Sequence, residues 1–140
     1  MGADYALPAG YSEHNSGLSL DIGSGLTQMD RAPEGKWIEK NAWKYGFILR
    51  YPSDKMDVTG IQYEPWHIRY AGLPHSTIMQ KMNLALEEYL DYLKEEESIS
   101  ATSIEGGKYT MSYYPFFQSK TIDVEIPVKD MGGVIMTTRS

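Results

Sequence analysis

Two short segments constrain the fold most: Ser12-Glu13-His14-Asn15-Ser16-Gly17-Leu18-Ser19-Leu20-Asp21 and Glu64-Pro65-Trp66-His67. Between them they carry two imidazoles and a carboxylate, His14, Asp21 and His67, with a second carboxylate, Glu64, just ahead of the last. Two histidines and one aspartate leave a fourth tetrahedral position of a zinc ion open for water, the arrangement of a catalytic rather than a closed structural site. A fold that uses these residues must press the first segment against the second, and the rest of the chain then reads as scaffold. Spacing alone leaves another reading open. His14 with Asp21, or Glu64 with His67, is also what unrelated surface groups would give, and neither pair is as specific as His-Glu-x-x-His.

Local geometry favours the metal. Gly17 to Ile22 reads as a strand ended by Gly23-Ser24-Gly25, with Leu18, Leu20 and Ile22 on one face and Gly17, Ser19 and Asp21 on the other. Small Gly17 and Ser19 leave room beside Asp21. Glu64 and His67 have opposite parity and could not share a face of one regular strand. Pro65 resolves this, because it resists ladder pairing and marks a bend. Past the bend, His67, Arg69 and Ala71 face one way, and Trp66, Ile68 and Tyr70 the other.

The scaffold follows from turn and helix signals. Residues 3–13 read as loop. Ala32-Pro33-Glu34 starts a helix in which Trp37, Ile38, Ala42 and Tyr45 fall near helical spacing, and Gly46 stops it. Phe47 to Tyr51 reads as a buried strand ended by Pro52, Ser53 to Thr59 as a polar turn, and Gly60 to Tyr63 as a second strand, antiparallel to the first, that delivers Glu64. Ser76 is expected to cap a helix through Met82, with Asn83 as the break. Leu84 to Glu97 follows as a helix with Leu86, Tyr89, Leu90 and Leu93 on one face, and Glu95-Glu96-Glu97 as its solvated end. His75, after Pro74, reads as a capping or surface residue rather than a ligand.

The chain changes character from Ser98. Lys108 to Tyr114, Thr121 to Ile126 and Gly133 to Thr138 read as three strands. The aromatics Tyr109, Tyr113, Tyr114, Phe116 and Phe117 read as core packing, with a sugar-stacking surface as the alternative. The expected fold class is α+β: a small antiparallel sheet carrying a zinc site, backed by helices, with a β-rich C-terminal tail. Residues 1–97 are expected to form the catalytic domain, and 98–140 an extension packed on or beside it.

Composition narrows the partners. A length of 140 residues suits one modest core. A net charge of -6 argues against nucleic acid, whose phosphates require clustered Lys and Arg. The absence of cysteine excludes thiolate zinc sites, disulfides and cysteine nucleophiles. No apolar run reaches transmembrane length, and Met1-Gly2-Ala3-Asp4 has neither the basic start nor the apolar stretch of a signal peptide. Nothing in the sequence reports an oligomeric state.

The residues between the anchors sharpen the reading. Ser12-x-His14-x-x-Gly17-x-x-x-Asp21 together with Glu64-x-Trp66-His67 resembles the signature of the VanY-type D-alanyl-D-alanine carboxypeptidases, zinc peptidases that trim bacterial peptidoglycan stem peptides. The likeness runs on through Glu34-Gly35-Lys36-Trp37, Lys44 to Pro52, Thr59-Gly60-Ile61, Trp66 to Gly72 and Leu86 to Leu90, and so covers roughly residues 8 to 94. It implies that His14, Asp21 and His67 hold one zinc per chain and that Glu64 is the catalytic base. It further implies that Ser12 contacts the substrate, that Trp66 supports the site wall, and that the fold is the one shared with D-Ala-D-Ala dipeptidases and the hedgehog signalling domain.

The implied activity is release of the terminal D-Ala from peptidoglycan pentapeptides, which in a glycopeptide-resistance setting removes the D-Ala-D-Ala ends. L,D-carboxypeptidase or dipeptidase activity is the alternative within the enzyme class. A non-catalytic zinc domain is a second class, against which the presence of Glu64 argues, and a metal-free cell-wall-binding module using the aromatic tail is a third. Wall-anchored pentapeptides imply an extracytoplasmic enzyme of the bacterial envelope; soluble precursors would imply the cytoplasm. Any membrane anchoring is expected to come from segments outside this chain.

Departures from the family pattern carry their own expectations. Family members usually have more chain before the Ser-x-His motif, including an arginine that stabilises the oxyanion. No Arg precedes Ser12 here, so part of that pocket is expected to be missing. Arg50 and Arg69 lie in family-like segments and read as structural. Ala85 stands where a helix-capping Thr is common.

Overall fold

The computed structural model describes residues 10–25, 27–115 and 133–140. Strands β1 (Ser19–Asp21), β2 (Phe47–Leu49) and β3 (His67–Tyr70) form one sheet in the order β1-β3-β2, antiparallel throughout. The register sets Asp21 opposite His67 and Ser19 opposite Arg69. Directly opposed residues share a face, so the parity expected for each strand lands Ser19, Asp21, His67 and Arg69 on one side of the sheet. Leu20 and Ile68 oppose each other on the other side.

Helix α1 (Pro33–Asn41) opens with Pro33 in its first turn, tightens into a 3-10 turn over Ala42–Tyr45 and ends at Gly46 with φ of 86°. A Cβ at Gly46 would lie 2.9 Å from Tyr70 Cε2 and 3.2 Å from Gly72 Cα. Glycine is therefore required both for the left-handed turn and for the close approach of β3.

Three local expectations need correction. Ser53 to Thr59 is not merely a polar turn: a 3-10 turn over Ser53–Lys55 leads into the short helix α2 (Met56–Thr59), closed by Gly60. Gly60 to Tyr63 is not a strand, and the antiparallel partner of β2 is β3, which starts only at His67. The reason is Pro65, which has no N–H to give a ladder. The Glu64 N–H bonds Tyr51 O at 3.0 Å, and pairing resumes after the turn, where the Arg50 N–H reaches His67 O at 3.0 Å. Ser76 is not a cap either. Helix α3 (His75–Met82) begins one residue earlier, and buried Ser76 donates its hydroxyl to Trp43 O at 2.8 Å.

Asn83 does end α3 in the left-handed region, with φ of 52°. Helix α4 (Leu86–Glu96) follows, its first turn tied by the Ala85 N–H to Glu88 at 2.8 Å. Of its expected apolar face, Tyr89 and Leu93 are the fully buried members.

A second antiparallel sheet comprises β4 (Ser98–Thr102), β5 (Lys108–Pro115) and β6 (Gly133–Arg139), in that order. Strand β4 adds to the expected elements, because Ser98-Ile99-Ser100-Ala101-Thr102 alternates with only one large apolar side chain and signals a strand weakly. The expected strand Thr121 to Ile126, with Phe116 and Phe117, lies outside the described residues. Met111 of β5 is fully buried and joins Ile78, Met79, Tyr89 and Leu93 in one core, with Ile99, Ala101, Tyr109 and Ile135 packed around it. His75 ties the same elements together: its ring bonds the Tyr89 hydroxyl at 2.8 Å and Thr137 Oγ1 at 2.9 Å. Helices α3 and α4 thus form the layer on which both sheets converge, an α+β arrangement. Among the described residues no helix is long and apolar enough to cross a membrane.

Candidate metal centre

The first segment is a compact turn. Ser12 precedes a 3-10 turn over Glu13–Ser16, and its hydroxyl accepts the His14 N–H at 3.3 Å. Gly17 closes the turn at φ of 72° and hands the chain to β1. His14 therefore hangs over the sheet that holds Asp21 at the end of β1 and His67 at the start of β3.

These three residues come together. One ligand atom from each lies within 4.8 Å of the others. His14 Nε2 is 3.4 Å and His67 Nδ1 3.3 Å from the same Asp21 oxygen. Zinc bonds of about 2.0–2.2 Å at tetrahedral angles put ligand atoms about 3.3–3.6 Å apart, so both distances match an edge of a zinc tetrahedron. Glu64 Oε2 lies 3.3 Å from His67 Nδ1, on the same side. His67 is buried, whereas His14 and Asp21 are exposed, so the cluster opens to solvent on one side only.

The far nitrogen of each ring is also occupied. His14 Nδ1 faces Ser19 O at 3.1 Å, and His67 Nε2 faces Glu13 Oε1 at 2.8 Å. Both acceptors require the facing nitrogen to carry the proton. In a neutral ring that choice leaves the lone pair on the nitrogen turned toward Asp21, the tautomer a metal ligand needs.

Glu13 sits at the hub of a part-buried polar network. Its Oε1 also accepts the Ser19 hydroxyl at 2.7 Å, while Oε2 pairs with Arg50 Nε at 3.1 Å and an Arg69 guanidinium nitrogen at 2.7 Å. Arg50 extends the network to α4 through a two-point pair with Glu87, at 2.6 and 3.0 Å. Burial pushes the Glu13 carboxyl up, but the hydrogen bonds from His67 and Ser19 and the charges of Arg50 and Arg69 override it and hold it far below the ordinary carboxylate range. Glu64 goes the other way. Burial raises its pKa, with His67 opposing the shift and Asp21 adding to it.

Trp66 is half-exposed beside His67, and its carbonyl accepts the Ile22 N–H at 2.9 Å. His75 lies outside the cluster, held by Tyr89 and Thr137. Arg50 is engaged by Glu13 and Glu87, and Arg69 by Glu13. Glu13 is the residue that sequence reasoning missed. A signal existed, because Arg69 shares a sheet face with His67 by parity, and a guanidinium on a covered face needs a carboxylate.

The family model for D-alanyl-D-alanine carboxypeptidases of the VanY type matches residues 3–73. A D-alanyl-D-alanine carboxypeptidase of Enterococcus faecium is 67% identical over 143 aligned positions, which take in 98% of this chain but only 47% of that relative's length. This chain thus spans about half of it. Among solved structures, the vancomycin resistance D,D-dipeptidase VanXYg, in complex with a D-Ala-D-Ala phosphinate analogue, matches at a TM-score of 0.71 and 28% identity, over 96% of this chain and 53% of that one. A variant of the vancomycin resistance D,D-pentapeptidase VanY from a VanB-type cassette, in complex with Zn(II), matches at 0.55 and 39% identity, over 62% of this chain and 49% of that one. The family match takes in more than half of this chain and spans both halves of the cluster, from His14 to His67; the chain belongs to the VanY family of D-alanyl-D-alanine carboxypeptidases.

Proposed function

We propose that this chain is a zinc-dependent D,D-carboxypeptidase that releases the terminal D-Ala from peptidoglycan stem pentapeptides. One observation carries the reading: two imidazoles, each with its outer nitrogen spent on an acceptor, turn their free nitrogens onto one Asp21 oxygen at tetrahedral-edge distances, with Glu64 alongside. His14, Asp21 and His67 would hold one zinc per chain, a donor set suited to that ion. When bound, zinc supplies Lewis acidity and brings the pKa of water to about 7.

The rest falls to the protein. Glu64 takes a proton from the attacking water as oxygen bonds to the scissile carbonyl carbon. It returns that proton to the amide nitrogen as the C–N bond breaks, so D-Ala departs as a neutral amine and the shortened peptide as an acid. The partial burial that raises the Glu64 pKa suits a group that must hold the proton between the two steps. Ser12, beside the cluster, contacts the substrate in this reading, and Trp66 walls the site.

Such a substrate belongs to the bacterial envelope, and we assign the enzyme to the extracytoplasmic side. In a glycopeptide-resistance setting its action would remove D-Ala-D-Ala ends. A dipeptidase reading is favoured by one specific finding, the likeness to a D,D-dipeptidase over nearly the whole chain.

Zinc content and D-Ala release are the test. Wild-type chain should hold one zinc and release D-Ala from a pentapeptide ending in D-Ala-D-Ala, and Glu64→Ala should keep the zinc while losing hydrolysis by several orders of magnitude. Unchanged turnover in Glu64→Ala would remove it as the base. Cleavage of free D-Ala-D-Ala in preference to the pentapeptide would establish the dipeptidase instead.

A further inference from the structure

We propose that Glu13 is the positioning residue of the metal centre, acting through His67. The inference rests on the zinc reading above and adds a group that touches neither metal nor substrate. His67 is buried and presents Nδ1 to the cluster, which it can do as a ligand only if Nε2 carries the proton. Glu13 Oε1, 2.8 Å from Nε2, accepts that proton and so selects both the tautomer and the ring orientation.

The carboxylate is itself held from three directions. Ser19 donates to Oε1, and Arg50 and Arg69 bind Oε2, so Glu13 has little freedom to turn away. These donors come from β1, from the end of β2 and from β3. Position 13 is therefore the point at which the whole first sheet bears on one imidazole. His14 makes the contrast. Its outer nitrogen is satisfied by a backbone carbonyl, Ser19 O, whose position comes with the strand. His67 depends on a side chain instead, and is the ligand that one substitution can release.

Outer partners of metal-bound histidines are typically worth about 10–100-fold in metal affinity. The test is zinc affinity by chelator competition, on wild type, Glu13→Gln and Glu87→Gln. Glu13→Gln keeps the size but loses the charge that holds the His67 N–H. Glu87→Gln breaks the same network at its far end, where Arg50 meets α4, and touches no metal ligand. We expect Glu13→Gln to bind zinc about 10–100-fold more weakly and Glu87→Gln to stay within about threefold of wild type, less than half of the 1.4 kcal/mol that a tenfold change represents.

A second readout covers the case in which Glu13→Gln folds poorly. The zinc-loaded wild type should show a slowly exchanging, downfield His67 ring N–H resonance, protected by burial and by its carboxylate acceptor. Wild-type affinity in Glu13→Gln, an equal loss in Glu87→Gln, or the absence of that resonance would each overturn the role of Glu13 while leaving the zinc site standing. A wild-type chain that binds no zinc would refute the metal reading and this inference together.

Discussion

Truncating Met111 to Ala tests whether the second sheet is part of the unit that carries the metal cluster. Met111 is 0% exposed and packs with Ile78, Met79, Tyr89 and Leu93, so the deleted atoms leave a cavity walled by α3 and α4. Buried Met-to-Ala changes cost ~2–5 kcal/mol, and complete burial points to the middle of that range, ~3 kcal/mol. With a urea dependence of ~1.5 kcal/mol per molar for a chain of this size, the midpoint should fall by about 2 M. Two probes are needed. The three tryptophans, Trp37, Trp43 and Trp66, all lie in the first half of the chain and report on the elements around the metal cluster. Far-UV circular dichroism reports on the whole. If β5 and the metal-bearing half unfold together, both transitions move by the same amount. A tryptophan transition that stays put while the dichroism transition moves would refute the reasoning and make residues 98–140 an independently unfolding unit.

Two further outcomes follow from the site and its neighbours. Zinc at a hundred times its dissociation constant should add about 2.7 kcal/mol of stability, seen as a rise in melting temperature that EDTA reverses; no rise, or a rise that survives His14→Ala, would contradict the ligand assignment. Burial lowers the His75 pKa from its ordinary 6.5, so the unfolded chain binds more protons than the folded one as pH falls through that value. The stability His75 contributes is then complete above about pH 6.5 and is lost as pH drops toward the folded value. The urea midpoint of wild type should therefore fall more steeply between about pH 7.5 and 5.5 than that of His75→Gln, and parallel slopes would show that His75 titrates alike in both states.

What could be read from the sequence was what depends on parity and on turn chemistry. The period of two put Asp21 with Ser19 and His67 with Arg69, and antiparallel pairing did the rest. Gly46 and Asn83 were recognisable as stops because few residues tolerate a left-handed backbone. The misread stretches were those decided by distant partners. Gly60 to Tyr63 has strand-like composition, yet Tyr51 O takes the Glu64 N–H and no ladder forms ahead of Pro65. Strand β4, with Ile99 its only large apolar residue, pairs because β5 lies beside it.

Glu13 belongs to the same class, and it shows where ligand-spacing arguments stop. The pattern of His14, Asp21, Glu64 and His67 specifies which side chains can meet a metal, but not which nitrogen of His67 does so. That choice is made by a hydrogen bond to a residue 54 positions away in the chain. The opposite tautomer would turn the protonated nitrogen toward Asp21 and set the Glu13 carboxylate against a bare lone pair, with no proton between them. Arg50 and Arg69 keep Glu13 from escaping that repulsion, because leaving would cost part-buried Arg69 its carboxylate and Arg50 one of its two. The charge network along this face of the sheet thus decides the chemistry at the metal cluster beside it.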